Sequence, residues 1–158
     1  MTKSKSLLIF IPSIENGGVE KNLYLIANYL AKTNLSVKII TAFDDKKKLF
    51  EKKIKIISLK RKITTIKSRL IKTLVTIILF VRYFYNKDIV ILSFQSNIVA
   101  ILLGLIFNKK VIIRSNASPE KYIKNNIQKI IFKFFFNLAD EIIVNSIEFK
   151  KRFKKFFL

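Results

Sequence analysis

Cysteine, histidine and tryptophan are all absent from the 158 residues. Without cysteine there is no disulfide and no thiolate metal site, and nothing points to an oxidising compartment. Without histidine, the commonest metal ligand and the commonest general base near neutral pH are missing. Any chemistry must rest on carboxylates, backbone N–H groups, lysine or arginine. Glycine and proline are scarce, with 3 and 2 residues, so regular secondary structure should dominate. Acidic residues are few as well: 10 against 31 lysines and arginines, for a net charge of +21.

What is present is apolar. Hydrophobic residues make up 51% of the chain, with 15 phenylalanines. That is enough to fill the core of one domain, and it argues against disorder. The positive charge would attract phosphate-rich partners such as nucleotides, anionic lipid headgroups or nucleic acid. The joint abundance of Lys, Ile, Asn and Phe is also what an AT-rich coding sequence produces. Nucleic acid is not expected as a partner, because the basic residues are spread over every segment and no nucleic-acid-binding motif is present.

The apolar run Leu7 to Ile11 is too short for a signal-peptide core. Leu74 to Val81, bracketed by Arg69, Lys72, Arg82 and Lys87, falls well short of the roughly 20 residues that span a bilayer. No transmembrane helix is expected. A basic aromatic helix lying on an anionic membrane surface is compatible with Arg69, Lys72 and Arg82 to Tyr85, and with Lys150 to Lys155.

The periodicity alternates along the chain. Strands are predicted at Leu7–Ile11, Val37–Thr41, Ile54–Leu59, Ile89–Phe94, Lys110–Arg114 and Glu141–Asn145. Helices are predicted from Val19 to about Lys32 with an exit at Asn34, over Ile63–Tyr85 and over Asn97–Phe107. Another should start at Pro119, with Ile123, Ile127, Ile130, Ile131, Phe134 and Leu138 on one face. Ser146 should cap a last helix carrying Phe149, Phe153, Phe156 and Phe157. Phe43–Lys53 reads as a charged loop. Strands alternating with helices imply an α/β domain with a mainly parallel sheet flanked by helices, spanning residues 1–158.

In such sheets ligands bind at the carboxyl ends of the strands. Three segments fall there: Pro12 to Asn22, Ser93 to Asn97, and Arg114 to Pro119. Gly17 and Gly18, between the first strand and first helix, allow a ligand close to the backbone, and the free N–H groups of a helix start favour an anion. A tight turn with no ligand is equally compatible with two glycines. Neither G-x-G-x-x-G nor a Walker A loop is present, which argues against a dehydrogenase or a P-loop ATPase.

Three ordered motifs resemble family 4 glycosyltransferases. Phe10 through Leu23, followed by Ala27 to Leu30, resembles the opening in which a first strand leads into Pro-Ser-Leu, Gly-Gly-x-Glu and a helix with Leu-Ala-x-x-Leu. Ser93–Phe94 through Asn97, then Val111 to Asn116, resembles the branch that builds bacterial surface and lipid-linked glycans, lipopolysaccharide among them. Ala139 to Ser146 resembles the Ala-Asp-x-Ile-Ile-x-x-Ser of the last strand.

The resemblance implies the N-terminal, Rossmann-like half of a GT-B fold. Such an enzyme retains configuration and moves a sugar from a nucleotide-sugar donor to a glycan or lipid-linked acceptor, with no metal and no other cofactor. It implies a cytoplasmic protein, with the inner face of the plasma membrane as a candidate surface. By resemblance, Gly17 and Gly18 lie against the donor diphosphate, and Glu20 and Lys21 orient their loop. Lys21 replaces the arginine of many relatives. Ser93, Gln95, Arg114 and Asn116 face the cleft and the acceptor. No catalytic residue is assigned.

One feature of the family is missing. Its donor carboxylate pair, Glu-x7-Glu, belongs to the second domain, and no two glutamates here have that spacing. Glu141 and Glu148 come one residue too close. The expectation is therefore an acceptor-side domain without its donor-binding partner, incomplete alone. The alternative is a catalytically inactive acceptor-binding or scaffold domain, or the remnant of a truncated gene.

Overall fold

A computed structural model describes residues 6–15, 17–33, 35–43, 47–59, 68–116, 123 and 125–157, without the side chains of Lys47 and Phe157. The expected helix exit at Asn34, and the helix starts at Ile63 and Pro119, lie outside these residues. In chain order the elements are β1 (Ser6–Phe10), α1 (Gly18–Ala31), β2 (Ser36–Phe43), β3 (Lys55–Leu59), α2 (Arg69–Phe84) and β4 (Val90–Ser93). Then follow α3 (Asn97–Ile106), β5 (Lys110–Ser115), α4 (Asn126–Phe136), β6 (Glu141–Val144) and α5 (Ile147–Phe157). A short 3₁₀ turn, Lys47–Leu49, lies between β2 and β3, inside the segment read as loop.

The strands form one six-stranded sheet in the order β3-β2-β1-β4-β5-β6, and every pairing is parallel. This is a Rossmann-like α/β fold. The two central strands, β1 and β4, explain themselves by composition. Leu8, Ile9, Phe10 and Ile11 are fully buried, as a strand covered on both faces requires. The edge strand β3 opens on an exposed lysine, Lys55, which an edge tolerates.

Successive connections of one hand place helices on opposite faces when the sheet grows in opposite directions. The chain moves outward from β1 to β2, and α1 packs Leu23, Ala27 and Ala31 on the face of Ile9, Val37 and Ile39. It then moves the other way from β4, and α2, α3, α4 and α5 share the opposite face with Leu8, Phe10, Ile91, Val111 and Ile113. Among the described residues, no helix is long and apolar enough to cross a membrane.

The last two helices differ in how well their faces were legible. Ser146 caps α5 through its Oγ, which accepts from the Phe149 N–H at 3.1 Å. Phe153 is buried and stacks on Phe136. In α4, capped by Asn125 accepting from the Gln128 N–H, the apolar face read from the spacing points outward: Ile127 is 69% exposed and Ile130 68%. The face that packs inward is Phe132, Phe135 and Phe136. The helix is apolar on two sides, and spacing alone does not say which side meets the sheet.

Gly104 fixes how closely α3 approaches β5. A Cβ there would run into the Val111 side chain and lie 3.0 Å from the Lys109 carbonyl. Gly104→Ala should therefore destabilise the protein by about 1–3 kcal/mol despite alanine's better helix propensity. Urea denaturation of the single variant, and of Gly104→Ala with Val111→Ala, should show part of the loss recovered in the pair. An unchanged midpoint for the single variant would refute the close-approach argument.

Candidate functional site

A cleft of about 750 Å³ opens at the carboxyl ends of β1 and β4, where the strand order reverses direction. That is where open parallel sheets bind ligands, because the flanking connections diverge to opposite faces. The loop after β1, the first turns of α1 and α2, the β4–α3 turn, Asn116 and part of α4 line it.

The start of α1 forms one wall. Gly17 is the N-cap, in extended conformation and without a side-chain cap. The Glu20 carboxylate folds back over it, 5% exposed, and accepts from Gln95 Nε2 at 3.1 Å. A Cβ on Gly17 would lie 2.7 Å from Glu20 Oε2, so a larger residue there would displace the end of the Glu20 side chain. A Cβ on Gly18 would meet nothing within 4 Å, so this backbone is open to the cleft. The first-turn N–H groups have no carbonyl partner within the helix and carry its positive end. Glu20 offsets part of that charge. Gly17, Gly18 and Glu20 are thus brought together at the cleft. Lys21 is exposed and does not line it.

The β1–α1 loop is tied to α2. Lys72 Nζ donates to Ser13 Oγ at 2.8 Å and pairs with Glu15 at 3.1 Å, while Ser13 Oγ donates to Glu15 at 2.8 Å. The Ser13 hydrogen bond, then Lys72, holds the Glu15 carboxyl below the usual glutamate range.

The β4 and β5 ends form the opposite wall. Gln95 and Asn116 line the cleft, but Ser93 and Arg114 stand behind it. Ser93 is fully buried. Its Oγ lies 2.8 Å from Asn97 Oδ1 and 3.0 Å from the Gln95 carbonyl, which shapes the turn into α3. Arg114 is 6% exposed. Its guanidinium donates to Asn116 Oδ1 and, at 2.7 Å, to Asn145 Oδ1, and it lies over the Phe94 ring at 5.3 Å. Asn116 Nδ2 donates to the Phe94 carbonyl at 2.6 Å. Burial pushes the Arg114 pKa down, yet no carboxylate pairs with it among the described residues. One planar fork thus joins the ends of β4, β5 and β6.

Asp140, from the third motif, serves the sheet. Its Oδ2 accepts from the Val111 N–H at 2.7 Å and aligns β6 with β5. The sequence reading missed the contribution of α2 and Ser96. Ser96 has φ of 56°, a left-handed conformation unusual for serine, and its Oγ lies 3.2 Å from Thr73 Oγ1 at the cleft. The Ser96–Asn97 pair shortly after β4 was the available signal for that turn. Among the described residues, no three acidic side chains converge as a metal site would need.

Two measurements check these connections. Arg114→Ala should lower stability by about 1–2 kcal/mol, since it removes the hydrogen bonds of a buried guanidinium to half-buried Asn116 and exposed Asn145, and a cation over a ring. Arg114→Lys should restore less than half, because an ammonium cannot span both asparagines. Equal urea midpoints for wild type and Arg114→Ala would remove the clamp. For Glu15, the depressed pKa means that its tether stabilises the fold at neutral pH and is lost as pH falls through the folded-state value, below the usual glutamate range. The side chain is half exposed, so wild type should exceed Glu15→Gln by no more than about 1 kcal/mol near pH 7. The gap should close on acidification. A gap that persists once Glu15 is protonated would contradict the assignment.

No curated protein matches the chain. The family model described as Glycosyltransferase Family 4 matches residues 16–158, and so takes in the Gly17–Gly18 helix start, the β4 and β5 ends at the cleft, and Asp140 with β6, but not β1. With that match over nearly the whole length, and a parallel sheet opening its cleft at the point of strand reversal, the chain belongs to glycosyltransferase family 4.

Proposed function

We propose that this domain is the acceptor side of a retaining glycosyltransferase. It would move a sugar from a nucleotide-sugar to a glycan or lipid-linked acceptor, with the donor held by a second domain across the cleft. The observation that carries the reading is the helix start, open at Gly18 and covered by Glu20 at Gly17, at the sheet's reversal point in a family 4 chain. In this reading the donor diphosphate lies against the helix start on its open Gly18 side, where the helix end stabilises the charge that grows on the leaving group. Glu20 orients the loop, and exposed Lys21 adds positive charge nearby. Gln95 and Asn116 bond the acceptor, while Ser93 and Arg114 hold them in place. The chain's part in catalysis is positioning. No two glutamates of the 158 residues have the spacing of the family's donor pair, so in this reading that pair comes from the second domain.

A cytoplasmic site, at the inner face of an anionic membrane, is part of the same reading. It is supported by helices α2 and α4, which carry Arg69, Lys72, Arg82, Lys129 and Lys133 but no acidic residue. The test supplies purified chain with a panel of sugar-labelled nucleotide-sugars and a membrane lipid extract, with and without a donor-binding domain in trans. Label should reach the acceptor only when that domain is present. Transfer by the chain alone would refute incompleteness. If neither transfer nor any glycan or nucleotide-sugar binding is detected by ligand-observed NMR, the inactive scaffold reading prevails.

A further inference from the structure

The cleft has two chemically different arms. At one end Glu20, Gln95 and Asn116 offer a carboxylate and two amides, a set suited to sugar hydroxyls. The other arm runs between α2, α3 and α4, and its walls are Leu70, Ile98, Val99, Phe132 and Phe136. We propose that this second arm holds the hydrocarbon tail of the acceptor, which makes the acceptor a lipid-linked sugar and not a free glycan. The proposal rests on the acceptor-side reading above and narrows its substrate class.

Three observations favour that occupant. First, the two arms are one continuous cleft, so a single molecule that reaches both must be polar at one end and apolar at the other. A free glycan would leave the apolar walls against water. Second, the arm leads outward onto an apolar ridge. Leu70 at its mouth is 78% exposed, and Leu74, one turn further along α2, is 58% exposed. A tail longer than the arm continues along that ridge. Third, the charge fits a lipid of anionic character. Arg69 stands at the cleft, α2–α4 carry no acid, and of the two glutamates of the cleft Glu15 is paired with Lys72 while Glu20 lies at the polar end. The Thr73–Ser96 contact at 3.2 Å braces α2 against α3 where the arms meet.

The test uses the purified chain and a series of alkyl β-glucosides, from methyl to octyl, kept below their micelle concentrations and titrated by ligand-observed NMR. Affinity should rise about two- to fourfold per methylene as each enters the arm. Leu70→Gln, on an exposed side chain, and Val99→Thr, of similar shape, should each flatten the rise. A series flat from methyl to octyl in the wild type overturns the proposal without reliance on any variant. A rise of unchanged slope in both variants overturns it as well, since the tail then binds elsewhere. The readout is independent of sugar transfer. A chain-length gradient with no transfer in the two-domain assay leaves the tail site standing and removes the transferase reading. Transfer with a flat series removes the tail site alone.

Discussion

The constraint on which the rest depends is the pairing of β1 with β4. Both are parallel to their neighbours, and the chain leaves them in opposite directions across the sheet. Connections of one hand then force α1 onto one face and α3 onto the other. The two helix starts diverge above the joined strand ends, and no segment between them can close the gap. The cleft is a consequence of topology before any side chain is considered. The side chains decide only what it can hold: glycines and a carboxylate on the α1 side, amides on the β4 and β5 side, and apolar walls where α2 and α4 reach over.

A cleft edge made from strand ends needs those ends fixed, because each strand stops there and its last carbonyls lack a neighbour. Arg114 meets that need across β4, β5 and β6 with one guanidinium. Its partners are neutral amides and a ring, so the charge is only partly compensated. Burial lowers its pKa accordingly, while an arginine still stays protonated at any physiological pH. A lysine or a neutral side chain lacks the planar reach. The same logic explains Asp140, which uses a charged oxygen on the backbone N–H of Val111 to hold β6 in register. Both residues drew notice in the sequence as motif members. Their contacts show them serving the frame of the site more than its surface.

Legibility followed the same division. All six strands were readable, because runs such as Leu7–Ile11 and Ile89–Phe94 have few other homes than a doubly covered sheet. The helix start at Gly17–Gly18 was readable because glycines between a strand and a helix have few uses. The orientation of α4 was not. Ile127, Ile130 and Phe134 recur at helical spacing as well as the buried phenylalanines do, and only the packed sheet decides between them. Nor could spacing place Ser93 behind the cleft wall and Gln95 in it. Two residues apart, they would share a face in an extended strand, and it is the turn after β4, with Ser96 in its left-handed conformation, that parts them. The apolar arm was invisible for a different reason. It is assembled from α2, α3 and α4, which are distant in sequence.

The charge of the chain acquires a meaning from where its acids are used. Glu20 bonds Gln95, Asp140 a backbone N–H, Glu15 a serine and one lysine, Glu148 one arginine, and Glu51 pairs with Lys32 at 3.8 Å. Few of the 31 basic residues are neutralised by these contacts, so a positive field remains over the helical face that borders the cleft. Such a field draws anions in general and cannot by itself select one. Selection within the cleft comes from the carboxylate at its polar end. A phosphate set beside Glu20 would be repelled, whereas a sugar hydroxyl can donate to it. In the proposed reaction this separates the two substrates along a single wall. The diphosphate belongs at Gly18, where the backbone is open and the helix charge is least offset, and the hydroxyl-bearing acceptor belongs at Glu20, with its tail directed toward Leu70. In that proposal the field gathers the reactants, and one buried glutamate sorts them.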